Sequence, residues 1–260
     1  MTTKNLTVSI IQTDLAWEDK PANFQHFSEL IDAIDLDTDL IVLPEMFTTG
    51  FSMNSQQHYD SPEGKTLDWL REQAHKKQAA ITGSAMIKDN GHFYNRLLFV
   101  KPDRSYQTYD KKHLFTLAGE QHYYSAGQQK LIVDYKGWKI CPLVCYDLRF
   151  PVWIRNKEDY DLLIFVANWP EKRVAAWDAL LKARAIENMS YCIGVNRIGQ
   201  DGNGFPHSGH SAIYDALGSK ITTDLFEEAF VETQVLSKEH IETSREKFGF
   251  LKDQDGFQLL

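Results

Sequence analysis

The chain has 260 residues, 43% hydrophobic, 12% aromatic and 25% charged, the profile of a folded domain and not of a disordered chain. Its 28 Lys and Arg stand against 36 Asp and Glu, so the formal net charge is −8. Neither the basic stripe of a nucleic-acid partner nor the apolar run of about 20 residues that spans a membrane appears in the sequence.

The first residues lack the charged, apolar and cleavage regions of a secretory signal. Three cysteines, Cys141, Cys145 and Cys192, are too few and odd in number for a disulfide framework. Both features predict a reducing, cytoplasmic setting. Strand-like apolar runs cover residues 7–11, 40–43, 79–87, 96–100, 130–134, 139–144, 162–167, 191–196 and 211–214. Several are unbroken, as expected of strands covered on both faces. Between them lie helical patterns. Residues 23–34 align Phe24, Phe27, Leu30, Ile31 and Ile34 on one stripe. Residues 64–77 follow the start signal Ser61-Pro62-Glu63, and residues 174–189 place Trp177, Leu180, Leu181 and Arg184 along one side. This alternation predicts an α/β fold with helices on sheet faces, in one domain over residues 1–260. The polar tail from about residue 238 reads either as an arm packed on the body or a partner, or as a frayed end.

Three strand ends carry reactive groups. The run through Val144 stops at Cys145, followed by Tyr146-Asp147-Leu148-Arg149-Phe150-Pro151. A thiol there stands above a rigid scaffold, with backbone N–H groups of the turn available as oxyanion donors. The alternative is a small buried hydrophobe, which suits Cys141 and Cys192 better than Cys145. The run 40–43 ends in Pro44-Glu45, and Tyr106-Gln-Thr-Tyr-Asp leads into Lys111-Lys112-His113. In open α/β sheets, reactive groups gather beyond the carboxyl ends of strands. A carboxylate, an ammonium and a thiol meeting there would supply a base, an electrophilic stabiliser and a nucleophile. Glu45 as a helix cap and Lys111-Lys112 as a solvated pair are the plainer readings. The glycine-rich stretch 199–204 reads as a turn and not a phosphate cradle, since it opens no helix. Asp147 with Arg149 is expected to form an ion pair shaping the cysteine turn, with anchoring of substrate as the alternative, and Arg184 with Glu187 a helix-face pair. Phe47 and Trp169 either wall a pocket or fill core; Arg173 either holds a substrate carboxylate or is solvated. No Cys/His grouping has zinc spacing.

Glu45 in Leu-Pro-Glu-Met-Phe, Lys111 in Tyr-Asp-Lys-Lys-His-Leu-Phe and Cys145 in Cys-Tyr-Asp-Leu-Arg-Phe-Pro together resemble the Glu–Lys–Cys motifs of the nitrilase superfamily of carbon–nitrogen hydrolases. The likeness continues through Ala167-Asn-Trp-Pro, Leu181-Lys-Ala-Arg-Ala-Ile-Glu-Asn, Asn196-Arg-Ile-Gly and Gly209-His-Ser, to about residue 220. Thr48-Thr-Gly-Phe-Ser-Met53 and the Tyr-Asp after the cysteine resemble the bacterial omega-amidase branch. The resemblance implies a four-layer α-β-β-α sandwich, usually paired as a homodimer, and cofactor-free chemistry without a metal. It implies Lys111, two residues before His113, as the catalytic lysine, and Glu120 as its supporting acid. Glu45 would be the base, Cys145 the nucleophile, and Lys111 with the Tyr146 backbone N–H the oxyanion donors. The substrate implied is the terminal amide of a small 2-oxo acid. Other amidase, carbamoylase or nitrilase substrates, and a catalytically silent scaffold, are the alternatives; Tyr146-Asp147 is unlike the Trp-Glu of true nitrilases.

Overall fold

The computed structural model describes residues 5–258. Strands β1 (Leu6–Gln12), β2 (Leu40–Val42), β3 (Ala80–Asp89), β4 (His92–Val100) and β5 (Tyr106–Asp110) lie side by side in one sheet. The first three are parallel, and the last three run antiparallel. The second sheet contains β6 (Val133–Tyr135), β7 (Trp138–Val144), β8 (Leu162–Val166) and β9 (Tyr191–Val195), with β7, β8 and β9 parallel. A small hairpin of β10 (Ile198–Gln200) and β11 (Pro206–Ser208) follows. Then β12 (Ala212–Tyr214) joins the edge of the second sheet beside β9, and β13 (Phe230–Leu236) returns to the first sheet, antiparallel to β1 over its whole length.

Period-two alternation sends each strand's side chains to two different cores. From β1, β2 and β4, Val8, Ile10, Leu40, Val42, Leu97 and Phe99 face the second sheet and join Ile140, Leu143, Leu163, Phe165 and Ile193. Their neighbours Ile11, Ile41, Leu98 and Val100 point the other way, towards helices. Both sets are apolar, so these strands read as continuous hydrophobic runs. Burial of each such side chain contributes roughly 1.5–3 kcal/mol.

On the first sheet lie α1 (Lys20–Asp32) and α3 (Lys65–Lys77), with the single-turn α2 (Ser55–His58) in the connection between them. The carboxylate of Asp19 caps α1 by accepting the Ala22 N–H at 3.1 Å. Phe27, Ile31, Leu67, Leu70 and Ala74 bury the facing stripes of α1 and α3 against the sheet. On the second sheet a single-turn helix α4 (Pro151–Ile154) follows the cysteine turn, and α5 (Val174–Asn188) packs through Trp177, Leu181 and Ala185. The layers therefore run helix, sheet, sheet, helix. Last, α6 (Lys238–Phe248) sets Ile241 into the same core, and Arg245 donates to the carbonyls of Met189 and Tyr160 at 2.9 and 2.6 Å.

The outlines differ from the sequence pattern in two places. Strands β3 and β4 are one long hairpin turning at Asn90-Gly91, both with positive φ (48° and 83°). Strand β13 was not expected, because its Val-Glu-Thr-Gln-Val alternation is that of a half-exposed edge strand.

Close approach of α5 to β9 depends on Gly194. A Cβ there would lie 2.4 Å from Leu181 Cδ1 and 2.6 Å from Trp177 Cζ2, both fully buried. Gly194→Ala is therefore expected to destabilise the protein by about 1–3 kcal/mol through overpacking. Urea unfolding monitored by circular dichroism should show a lower midpoint, and an unchanged midpoint would refute the packing argument.

Candidate active site

Each group stands just beyond a strand. The first sheet supplies Glu45 after β2 and Lys111 after β5; the second supplies Cys145 after β7. The Lys111 N–H donates to the Asn95 carbonyl of neighbouring β4 at 3.0 Å, which sets the lysine's register. Its ammonium lies 3.0 Å from Glu45 Oε1 and 3.0 Å from Glu120 Oε2. All three side chains are essentially solvent-free.

Burial of so many charges requires donors, and they are present. Asn95 Nδ2 donates to Glu45 Oε1 at 2.8 Å and reaches Glu120 Oε1 at 3.5 Å. The Asn168 backbone N–H, just past β8, donates to Glu45 Oε2 at 2.8 Å. The Phe115 N–H donates to Glu120. Burial alone would lower the pKa of Lys111, but Glu120 and Glu45 outweigh it and hold the ammonium above its ordinary range. Burial pushes Glu120 up against the pull of that ammonium.

Cys145 begins a 3-10 turn, Cys145–Arg149, with φ of 45°. A left-handed conformation in a non-glycine residue is strained and needs external support. The support is Asp147, which is fully buried. It accepts the Val144 N–H at 3.1 Å, the Tyr109 hydroxyl at 2.8 Å and the His113 backbone N–H at 3.0 Å, and pairs with His113 Nδ1 at 2.8 Å. One carboxylate thus ties the cysteine turn to the segment that carries Lys111. The expected pair with Arg149 does not form: its guanidinium instead lies 4.8 Å from the Trp169 ring centroid. Burial, then the charge of Glu45, raise the Cys145 pKa well above its ordinary value. Cys145 as a residue retains 9% exposure, where Glu45 and Glu120 have none. Cys141 and Cys192 are wholly buried in strands.

The remaining candidates divide. The Tyr146 backbone N–H adjoins the thiol by sequence, and its ring packs edge-on to Phe115 and Phe150. Trp169 lies beside Asn168 and donates its ring N–H to the Arg173 carbonyl at 2.8 Å. The guanidinium of Arg173 lies 5.0 Å from the Phe115 ring centroid. Neither Arg149 nor Arg173 has a carboxylate partner among the described residues. Phe47 is not a pocket wall. It is fully buried between Phe24, Phe27 and Trp69, in the helix-facing core. The turn at Met46 (φ 43°) returns the chain to that side, and Phe51 instead lies 5.0 Å from the Lys111 ammonium. The sequence reading missed Asn95 and Asn168; an asparagine within or just past an apolar run was the available signal. Arg184 and Glu187 pair at 2.9 Å as expected. Among the described residues, no group of three or more His, Cys, Asp or Glu is placed to hold a metal ion, and no helix is long and apolar enough to cross a membrane.

This fold, with a carboxylate, an ammonium and a thiol at adjoining strand ends, has close relatives. Residues 7–238 match the Carbon-nitrogen hydrolase family, and the chain belongs to it. Omega-amidase YafV of Yersinia enterocolitica is 46% identical, over 98% of this chain and 99% of that protein. 2-Oxoglutaramate amidase of Bacillus subtilis is 32% identical, over 91% and 93%. A CN-hydrolase superfamily protein of Xanthomonas campestris, solved with an arsenic adduct in its active site, superposes with a TM-score of 0.96 at 40% identity, over 98% of this chain and 99% of that one.

Near the cluster, His207 of β11 is buried and lies in the fields of Arg197, Asp201 and Glu45. Burial, then Arg197, push its pKa down to about 4. The unfolded chain therefore binds a proton below about pH 6.5 that the folded chain refuses until about pH 4. Stability should fall across that window by up to roughly 3 kcal/mol and then level off. Urea midpoints at a series of pH values should show a shallower acid slope in His207→Gln; an identical slope would contradict the assignment.

Proposed function

We propose that the protein is a cysteine-dependent omega-amidase that hydrolyses the terminal amide of a small 2-oxo acid, of the 2-oxoglutaramate type, to the 2-oxo dicarboxylic acid and ammonia. The observation that carries this is the buried carboxylate–ammonium cluster beside a thiol that opens a left-handed turn. The relatives named as omega-amidase and 2-oxoglutaramate amidase support the substrate class.

The raised thiol pKa means that sulfur enters the reaction protonated. Attack and deprotonation are then coupled: Glu45 accepts the Cys145 proton as sulfur bonds to the amide carbon. Lys111 and the Tyr146 N–H stabilise the oxyanion, a contribution of roughly 3–4 kcal/mol per donor. When the C–N bond breaks, the proton on Glu45 passes to the leaving nitrogen and ammonia departs. Glu45 then takes a proton from water as its oxygen attacks the thioester. The C–S bond breaks, Glu45 returns that proton to the departing sulfur, and the acid is released with thiol and carboxylate restored. Glu120, Asn95 and Asn168 act as positioning residues, since they hold Lys111 and Glu45. Arg173 and Arg149, unpaired and held over aromatic faces, are the groups suited to a substrate carboxylate. The reading includes the cytoplasm as compartment and a homodimer as the working unit, the latter checked by light scattering.

Ammonia release should be screened over 2-oxo acid amides, amino-acid amides and nitriles. Cys145→Ala should abolish it while the fold persists, and iodoacetamide should inactivate the native enzyme by modifying Cys145. Wild-type turnover in Cys145→Ala would sink the nucleophile assignment. Lys111→Ala should reduce kcat by roughly 10²–10³-fold or more, as for loss of an oxyanion donor. Lys112→Ala should have far less effect; the reverse order would overturn the choice between the two lysines.

A further inference from the structure

A cleft of about 450 Å³ opens between the Lys112 segment and α4, lined by Lys112, His113, Gln128, Phe150, Val152 and Trp153 together with Pro151. Glu45, Lys111, Glu120 and Cys145 do not line it. Its volume falls within the roughly 300–1,000 Å³ of small-molecule sites. The geometry points to a regulatory site for a small planar carboxylate, the 2-oxo acid product, acting on the nucleophile turn from behind. The identity of that ligand rests on the proposed omega-amidase reading.

The charge in the cleft is of one sign. The Lys112 ammonium has Gln128 Oε1 at 3.2 Å and the Trp153 ring at 5.5 Å, with no carboxylate partner among the described residues. Lys130 approaches the same ring at 5.8 Å, though its charge is matched by Glu158. The Lys112 ammonium donates to the neutral amide oxygen of Gln128, and an anion would offer it an ionised acceptor. The walls are flat: His113 stacks on Phe150 at 3.7 Å and 5°, and Trp153 stands edge-on to His113 at 6.1 Å. His113 and Phe150 cover each other's inner faces, and the remaining aromatic surface of the cleft offers flat wall to a small planar group such as a 2-oxo carboxylate.

These walls also hold the nucleophile in place. The polar edge of His113 pairs with Asp147 at 2.8 Å. The ring N–H of Trp153 donates to the Tyr109 hydroxyl at 3.2 Å, and that hydroxyl donates to Asp147 at 2.8 Å. Phe150 packs edge-on to Tyr146, the residue after the nucleophile, at 5.1 Å. A ligand seated here touches three side chains that set the left-handed turn at Cys145. It would change the geometry of attack without occupying the substrate's place, and so act on kcat.

The test uses the full chain, with 2-oxoglutarate as probe at constant ionic strength. In the wild type, 2-oxoglutarate should lower kcat for 2-oxoglutaramate as well as raise its apparent KM. In Lys112→Met the kcat component should weaken by roughly tenfold, the worth of one hydrogen bond to a charged group. Uninhibited kcat and KM should stay near wild type. Purely competitive inhibition in both proteins, or a kcat component equal in both, overturns the proposal while leaving the omega-amidase reading intact. Should 2-oxo acid amides prove not to be substrates, that reading fails separately, and binding is then read directly. In iodoacetamide-blocked protein, 2-oxoglutarate should quench tryptophan fluorescence saturably, with roughly tenfold weaker binding in Lys112→Met. No saturable quench, or the same quench with acetate, overturns the site.

Discussion

The structure turns on one buried ammonium held between two buried carboxylates. Isolated, each of these ions would be expelled from the interior, since desolvation costs several kcal/mol per ion. Together they persist because Lys111 bridges Glu45 and Glu120, and because Asn95, Asn168 and Phe115 supply N–H donors to the carboxylate oxygens. Such a cluster is poor evidence of stability for its own sake, because a well-packed apolar substitute is often as stable or more so. Its presence is better explained by the chemistry it performs. A fixed positive charge in a dry environment is already oriented for a developing oxyanion, with no solvent to reorganise.

The same electrostatics decide what kind of cysteine Cys145 is. Next to an imidazolium, a cysteine is commonly stored as a thiolate. Here burial and the neighbouring Glu45 favour the neutral thiol, in spite of Lys111. In the proposed mechanism the thiolate is therefore made only as it is used, and Glu45 must be within reach of it at that moment. That requirement explains the strain. Strand β7 alone would carry the sulfur on along the strand; the left-handed step at Cys145 turns it to the side where Glu45 lies, and the four contacts of Asp147 hold it there.

The groups to which the proposed chemistry is assigned stood out in the sequence because each ends an apolar run: a charge or thiol at that point has no packing reason to be there. Residues that only hold those groups left fainter marks. Asn95 lies inside β4, where the pattern of the strand predicts a half-buried position and nothing about a carboxylate 50 residues away. Phe47 was ambiguous for a related reason. Its distance from Glu45 along the chain is two residues, but the positive φ of Met46 reverses the face it presents, and backbone handedness at a non-glycine residue is not written in composition. The Asp147–Arg149 pairing failed because a 3-10 turn points residues two apart in different directions, so that the arginine met an indole and the aspartate met the lysine segment.

These points converge on the seam between the two sheets. Glu45 and Lys111 belong to the first sheet, Cys145 and the Asn168 N–H to the second, and neither sheet holds a working set alone. The apolar layer between β1, β2 and β4 on one side and β7, β8 and β9 on the other is thus what fixes the separation of Glu45 and Cys145. Interiors of this density do not slide by small amounts, since each displacement opens voids or forces side chains from their rotamers. Asp147 adds a polar tie across the same seam, reaching from the cysteine turn to Tyr109 and His113 of the first sheet's last strand and loop. A packed layer sets the spacing and a buried carboxylate sets the angle. Perturbations of Asp147's partners are therefore the route by which events outside the dry cluster can alter its chemistry.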